Sequence, residues 1–246
     1  MKATERHKLK ENEFARSVAH ARHVLEARRR DFGLMILVVV IAIAAIAGYT
    51  WWRQSRNAKA DTLLAAALAV NEAPVVAPAE PTPGSAIPVE QPGTFRTERA
   101  KLEAALPKFQ DAADKYPSTD AGITARFHAA SILAQLGRHA EAEQRYQEVA
   151  AKAGRTIYAR TARLGMADAQ LAQGKHDSAI AIYRELSTES NSQLPIDGVL
   201  MQLGRASLMA GKREEAARAF NRIVEEFPES VYLADARREL EAAKKG

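Results

Sequence analysis

The chain of 246 residues contains no cysteine. That excludes a disulfide framework and any thiolate zinc site. It is compatible with an oxidising compartment and does not require one. Also missing are a nucleophile elbow, a phosphate loop, a paired-histidine metal motif and a dinucleotide fingerprint. With no local signature of catalysis, we expect no catalytic residues, no cofactor and no metal. Most of the chain lacks a basic excess as well. Residues 53–246 hold 26 Lys/Arg against 25 Asp/Glu, and residues 1–31 hold nine against five, so the net charge of +5 sits mainly in the N-terminal tail. A nucleic-acid-binding domain carries its basic stripe on the folded part, so no nucleic-acid partner is expected.

Charge is absent altogether from the 21 residues Phe32 to Trp52, between Arg28-Arg29-Arg30-Asp31 and Arg53. At about 1.5 Å rise per residue such a run spans roughly 30 Å, the thickness of a bilayer's hydrocarbon core. Lys and Arg accumulate on cytoplasmic flanks. Nine of them precede the run, whereas Arg53, Arg56 and Lys59 follow it closely. The expectation is one transmembrane helix, 32–52, with residues 1–31 as a basic cytoplasmic tail and the rest outside. Arg28, Arg29 and Arg30 would mark one membrane interface, and Tyr49, Trp51 and Trp52 the other.

Two other readings use the same residues. Ala45-Ile46-Ala47 fits a signal-peptide cleavage site, although the leading region is long and the apolar stretch runs past the site. Arg29-Arg30-Asp31-Phe32 fits a twin-arginine signal, although no cofactor motif follows. Within the tail, Phe14, Val18, Ala21 and Leu25 recur at helical spacing. They belong to a topology-setting flank or to an amphipathic helix on anionic lipid. His7, His20 and His23 form no ligand set.

Residues 53–72 read as an alanine-rich helical stalk. Leu63, Leu64, Ala67, Leu68 and Val70 make it apolar enough to pack on the following domain or on a membrane partner. Residues 73–96 read as a proline-rich linker. Six of the ten prolines lie between Pro74 and Pro92. Proline removes a donor and fixes φ, so an extended, semi-stiff spacer is expected.

Beyond the linker the sequence copies itself. Gly137, Gly174 and Gly211 are 37 residues apart; so are Ala142, Ala179 and Ala216, then Tyr146, Tyr183 and Phe220, then Val149, Leu186 and Ile223. A half-copy, Ala105, Phe109 and Ala112, ends at Tyr116-Pro117, and the last copy ends at Phe227-Pro228. Each glycine suits the left-handed residue that ends a helix. Each alanine lets a second helix approach the first, and each aromatic, one turn on, fills the gap between hairpins. A single hairpin cannot bury its apolar face, so the units must stack. We expect an all-α solenoid over 97–246, with helices 97–115, 120–136, 139–153, 157–173, 176–188, 195–210, 213–227 and a polar cap, 230–243. Pro107 should kink or split the first of these.

These columns resemble the tetratricopeptide repeat family over residues 97–243. The match is to its second helix. The period is 37 rather than about 34, and Arg126, Arg163 and Leu200 replace the large aromatic of the first helix. The whole layout resembles the ancillary SecYEG translocon subunit family. That resemblance implies a bacterial inner-membrane protein with a periplasmic repeat domain, associated with translocon subunits, periplasmic chaperones or exported chains. An envelope-assembly organiser bridging to outer-membrane or cell-wall machinery is the alternative, and an accessory subunit that docks an enzyme is a third reading.

First helices of stacked hairpins line the concave face. The matching columns there are Phe127, Leu164 and Met201; Ser131, Asp168 and Arg205; and Ala134, Leu171 and Leu208. Apolar columns of this kind serve as core or as a peptide groove. His139 and His176 share one column and read as helix starts; His128 reads as core or surface.

Overall fold

The computed structural model describes residues 29–76, 92–154, 156–189 and 193–245. The tail readings, Arg28, the side chain of Arg29, and Pro78, Pro81, Pro83 and Pro88 lie outside the described residues. Nine helices form among the described residues, with no named strand. They are α1 (Arg29–Asn71), α2 (Glu98–Lys115), α3 (Asp120–Gln135), α4 (His139–Lys152), α5 (Ile157–Ala172), α6 (His176–Thr188), α7 (Ile196–Met209), α8 (Arg213–Glu226) and α9 (Leu233–Lys245). The expected all-α repeat architecture is what forms. The last helix begins three residues later than its periodicity predicts, and Pro107 lies inside an unbroken α2. Pro107 is exposed, so its ring and the freed carbonyl four residues back face solvent rather than the core.

The chain divides into two units, Met1–Ser55 and Arg56–Gly246. In the first, every residue from Gly33 to Gln54 is exposed. A helix apolar on all sides has no face to turn to water. This is the one described helix long and apolar enough to cross a membrane. At the end of its apolar run the Tyr49 and Trp52 rings lie 6.1 Å apart.

The second unit starts with the last turns of α1. Ala60 and Ala67 are buried there, and Leu63, Leu64, Leu68 and Val70 pack against a core that includes Leu102, Ala105, Leu106 and Phe109 of α2. The stalk therefore packs on the domain. It supplies the helix that the half-copy on α2 lacked. Arg56 sits over the Tyr116 ring at the far end of α2, 5.9 Å from its centroid. Residues 74–76 and 95 form a single parallel bridge, with Val76 N donating to Phe95 O (2.8 Å) and Phe95 N to Pro74 O (3.0 Å). This corrects the spacer expectation. The two ends of the proline-rich segment are clipped together, so it adds no distance between stalk and repeats.

Three hairpins follow: α3–α4, α5–α6 and α7–α8. Thr97 and Thr119 begin α2 and α3 by accepting from Ala100 N and Gly122 N. Gly137, Gly174 and Gly211 follow the first helices with φ of 78°, 76° and 73°. The next residue in each case donates back five positions: Arg138 to Leu133, Lys175 to Gln170 and Lys212 to Ser207. This closes the helix end, and only glycine holds that backbone cheaply. Ala142, Ala179, Ala216, Tyr183, Phe220, Val149, Leu186 and Ile223 are at most 1% exposed, and Tyr146 is buried at 6%.

The aromatics work as wedges. Phe109 stacks on His128, 5.1 Å between centroids. A Cβ built on Gly165 would come within 2.5 Å of the Tyr146 ring, and one on Gly204 within 2.3 Å of Phe220. The core falls into two clusters, with Ala159, Ala162 and Ala169 of α5 in the first and Ala167 in the second. Polar bonds cross at the same place. Glu143 of α4 accepts from Gln170 and Gln173 and pairs with Lys175 at 2.7 Å. Those bonds hold its carboxyl below the usual range against the opposing effect of burial. Helix α9 buries Ala236, Leu240 and Ala243 and turns its charges outward.

Two outcomes test this packing. Ala67→Glu puts an unpaired carboxylate into the stalk contact and should lower stability by at least about 2 kcal/mol, read by denaturant unfolding of the full chain. A depressed carboxyl contributes stability above its unfolded pKa and loses it as pH falls through the folded value. Wild type should therefore lose more stability between pH 6 and pH 3 than Glu143→Gln does.

Candidate binding face of the first helices

The polar columns of the first helices join the aromatic wedges of the second. The Tyr183 hydroxyl donates to Asp168 Oδ1 at 2.5 Å. Tyr146 is hydrogen-bonded to Ser131, a bond that opposes the rise of its pKa, and the Asp168 charge also acts on it. Gln135 donates to Ser131 Oγ at 3.3 Å. Ser131, Tyr146, Asp168 and Tyr183 thus form one row across α3, α4, α5 and α6. Burial pushes both tyrosines up, and the neighbouring Asp168 adds to it. Burial also raises Asp168, while the Tyr183 bond opposes the rise. Yet Asp168 is exposed to solvent. The two facts agree where protein surrounds the carboxylate on most sides and one side stays open to solvent.

The other expected positions divide. Phe127 is half-buried, with its ring 5.8 Å from both Tyr146 and Tyr158. Leu164, Leu171 and Leu208 are half-buried at the edge of the second cluster, and Ala134 at the edge of the first. Met201 is a correction: at 1% exposure it belongs to the core and cannot contact a ligand. It lies in the second cluster with Leu200, Leu203 and Phe220. Arg205 is exposed and turns toward Asp235, 3.9 Å away, apart from the row. His128, half-buried against Phe109, has its pKa lowered by burial, with Glu72 opposing.

The arginines that displaced the expected aromatic are structural. Arg126 is buried, donates to Ala113 O at 3.0 Å and lies 3.0 Å from Glu148. Arg163 pairs with Glu185 at 2.5 Å and Glu189 at 2.7 Å. Each ties a first helix to its own second helix. Sequence reasoning missed Tyr158 and the hydroxyl role of the tyrosines. A signal for the latter existed. Ser131 and Tyr146, like Asp168 and Tyr183, are 15 residues apart, whereas Arg205 at that spacing meets Phe220, which has no hydroxyl.

Among the described residues no group of three or more His, Cys, Asp or Glu is arranged to hold a metal ion. The face carries half-buried apolar groups around a few polar ones.

This arrangement has known relatives. Residues 30–233 match the model of the tetratricopeptide repeat-like domain, and the chain belongs to that family. No curated protein matches it significantly. Among solved structures it is similar to a tetratricopeptide repeat protein from Parabacteroides merdae ATCC 43184, at 18% identity and TM-score 0.50, over 60% of this chain and 55% of that one. It is also similar to kinesin light chain TPR-like repeats from Podosopora anserina, at 14% identity and TM-score 0.51, over 60% of this chain and 79% of that one. The chain thus spans about half of the first relative's length, and at these identities the likeness shows the fold alone. Repeats of this class point to a protein-interaction role, and such a fold is as a rule a non-catalytic scaffold.

The Asp168 environment yields a test. A carboxyl raised in the fold destabilises it once ionised, above the unfolded value of about 3.9. Asp168→Asn keeps an acceptor for Tyr183 and should raise the melting temperature at pH 7. The gap should shrink toward pH 4. A variant less stable at pH 7 would contradict the burial argument.

Proposed function

We propose that this chain is an inner-membrane-anchored adaptor whose repeats face the periplasm and bind partners of the protein-export translocon: its subunits, periplasmic chaperones or emerging chains. The observation that carries the reading is the stalk. Ala60 and Ala67 of the helix that bears the apolar run are core residues of the repeat unit. Only Arg53, Gln54 and Ser55 separate Trp52 from that unit. An anchor ending at Trp52 leaves only this short connection in sequence, which supports partners that work near the membrane over distant ones. The charge bias of residues 1–31 supports an N-terminus in the cytoplasm.

The envelope-organiser alternative drew on the reach of a proline-rich spacer. With Val76 and Phe95 bonded, that support is gone.

Crosslinking in intact membranes, followed by mass spectrometry of the tagged full chain, tests the proposal. Translocon subunits and periplasmic chaperones should be enriched, with the tag still joined to the hydrophobic helix. Leu164→Glu, at a half-buried position, should lose them while keeping the helical circular dichroism of wild type. Enrichment of outer-membrane or cell-wall assembly factors instead would overturn the reading.

A further inference from the structure

Most carboxylates on the second helices face a cation. Glu141 meets Arg138, Glu143 meets Lys175, Glu148 meets Arg126 and Arg145, Asp177 meets Lys212, Glu185 meets Arg163, and Glu215 meets Arg184. Asp168 does not. Among the described residues its side-chain partner is the neutral Tyr183 hydroxyl, which engages Oδ1, and no cation pairs with it. One carboxylate oxygen is left over on an exposed residue.

Its neighbours narrow what that oxygen suits. Leu164 and Leu171 lie four residues before and three after on α5, so they share its helical face. Both are half-buried and leave apolar surface open on either side. One repeat back, the column holds Ser131, which is neutral and bonded to Tyr146 and Gln135. One repeat on, it holds Arg205, which turns to Asp235. The row therefore presents one unmatched negative charge, held by a tyrosine and flanked by leucines. A single carboxylate with no second ligand is poor for a divalent cation, which takes several oxygens. It is well made for one ammonium or guanidinium group, and charge-assisted hydrogen bonds are the strong ones.

Resting on the reading of this face as a peptide groove, we propose that its middle receives a lysine or arginine side chain of an extended, otherwise apolar partner segment, with Asp168 as the specificity-determining residue. Leu164 and Leu171 hold the partner's flanking apolar groups. Tyr183 fixes the carboxylate so that it needs no reordering on binding. Ionised Asp168 is the form that binds, and its raised pKa makes the preference for a cation fade as pH falls.

The test uses the full chain in lipid nanodiscs and fluorescein-labelled nonapeptides of alternating alanine and leucine, with lysine, norleucine or glutamate at the centre. The lysine peptide should bind roughly ten-fold more tightly than the norleucine peptide at pH 7, and the glutamate peptide more weakly than either. Asp168→Asn should bind lysine and norleucine peptides alike. Asp168→Glu and Tyr183→Phe should keep a preference for lysine, which separates a charge effect from a folding defect. Norleucine binding with no lysine preference in wild type would overturn the assignment of Asp168 and leave the groove standing. Failure of all three peptides would overturn the groove and this proposal with it.

Discussion

The domain depends on a ring pressed against a neighbour that has little or nothing in the way. Phe109 lies on the flat face of His128, Tyr146 on Gly165 and Phe220 on Gly204. In each case the ring belongs to a second helix. His128 and Gly165 belong to the first helix of the following hairpin, and Gly204 to the same hairpin as its ring. A ring this close locks the spacing of the helices it touches, because packed interiors have no slack to absorb a misplaced atom. The stack follows from it, and so does the face that the first helices present.

How far the sequence reveals this depends on whether a feature repeats. The 37-residue columns name the wedges, the alanines one turn before them and the glycines that end first helices, because each recurs at one phase. What stays hidden are single events. Arg126 and Arg163 look like lost aromatics until Glu148, Glu185 and Glu189 appear opposite them. Met201 shares a column with Phe127 and Leu164 but is buried within the second cluster. Pro107 sits mid-helix without splitting it because it points outward. Of the candidate face, the column positions are legible. The hydroxyl bonds that turn packing tyrosines into polar partners are not, because the same column serves equally well with Phe220.

The distribution of charge has a physical logic of its own. Ion pairs such as Lys212 with Asp177 and Arg184 with Glu215 join one hairpin to the next around the outside. Exposed pairs of this kind add little stability each. Their effect is to match charges on the second helices with one another, and Asp168, on a first helix, takes no part in them.

The bridge between Val75 and Phe95 has a different consequence. Pro74, Val76 and Phe95 bring the two ends of this connection to one point, whatever the number of residues between them. Doubling such a connection adds only about 0.6 kcal/mol of closure entropy. This connection is therefore the natural port of the molecule, a place where a tag, a sensor or a whole second domain could be spliced in while the bonded ends hold the register of the helices.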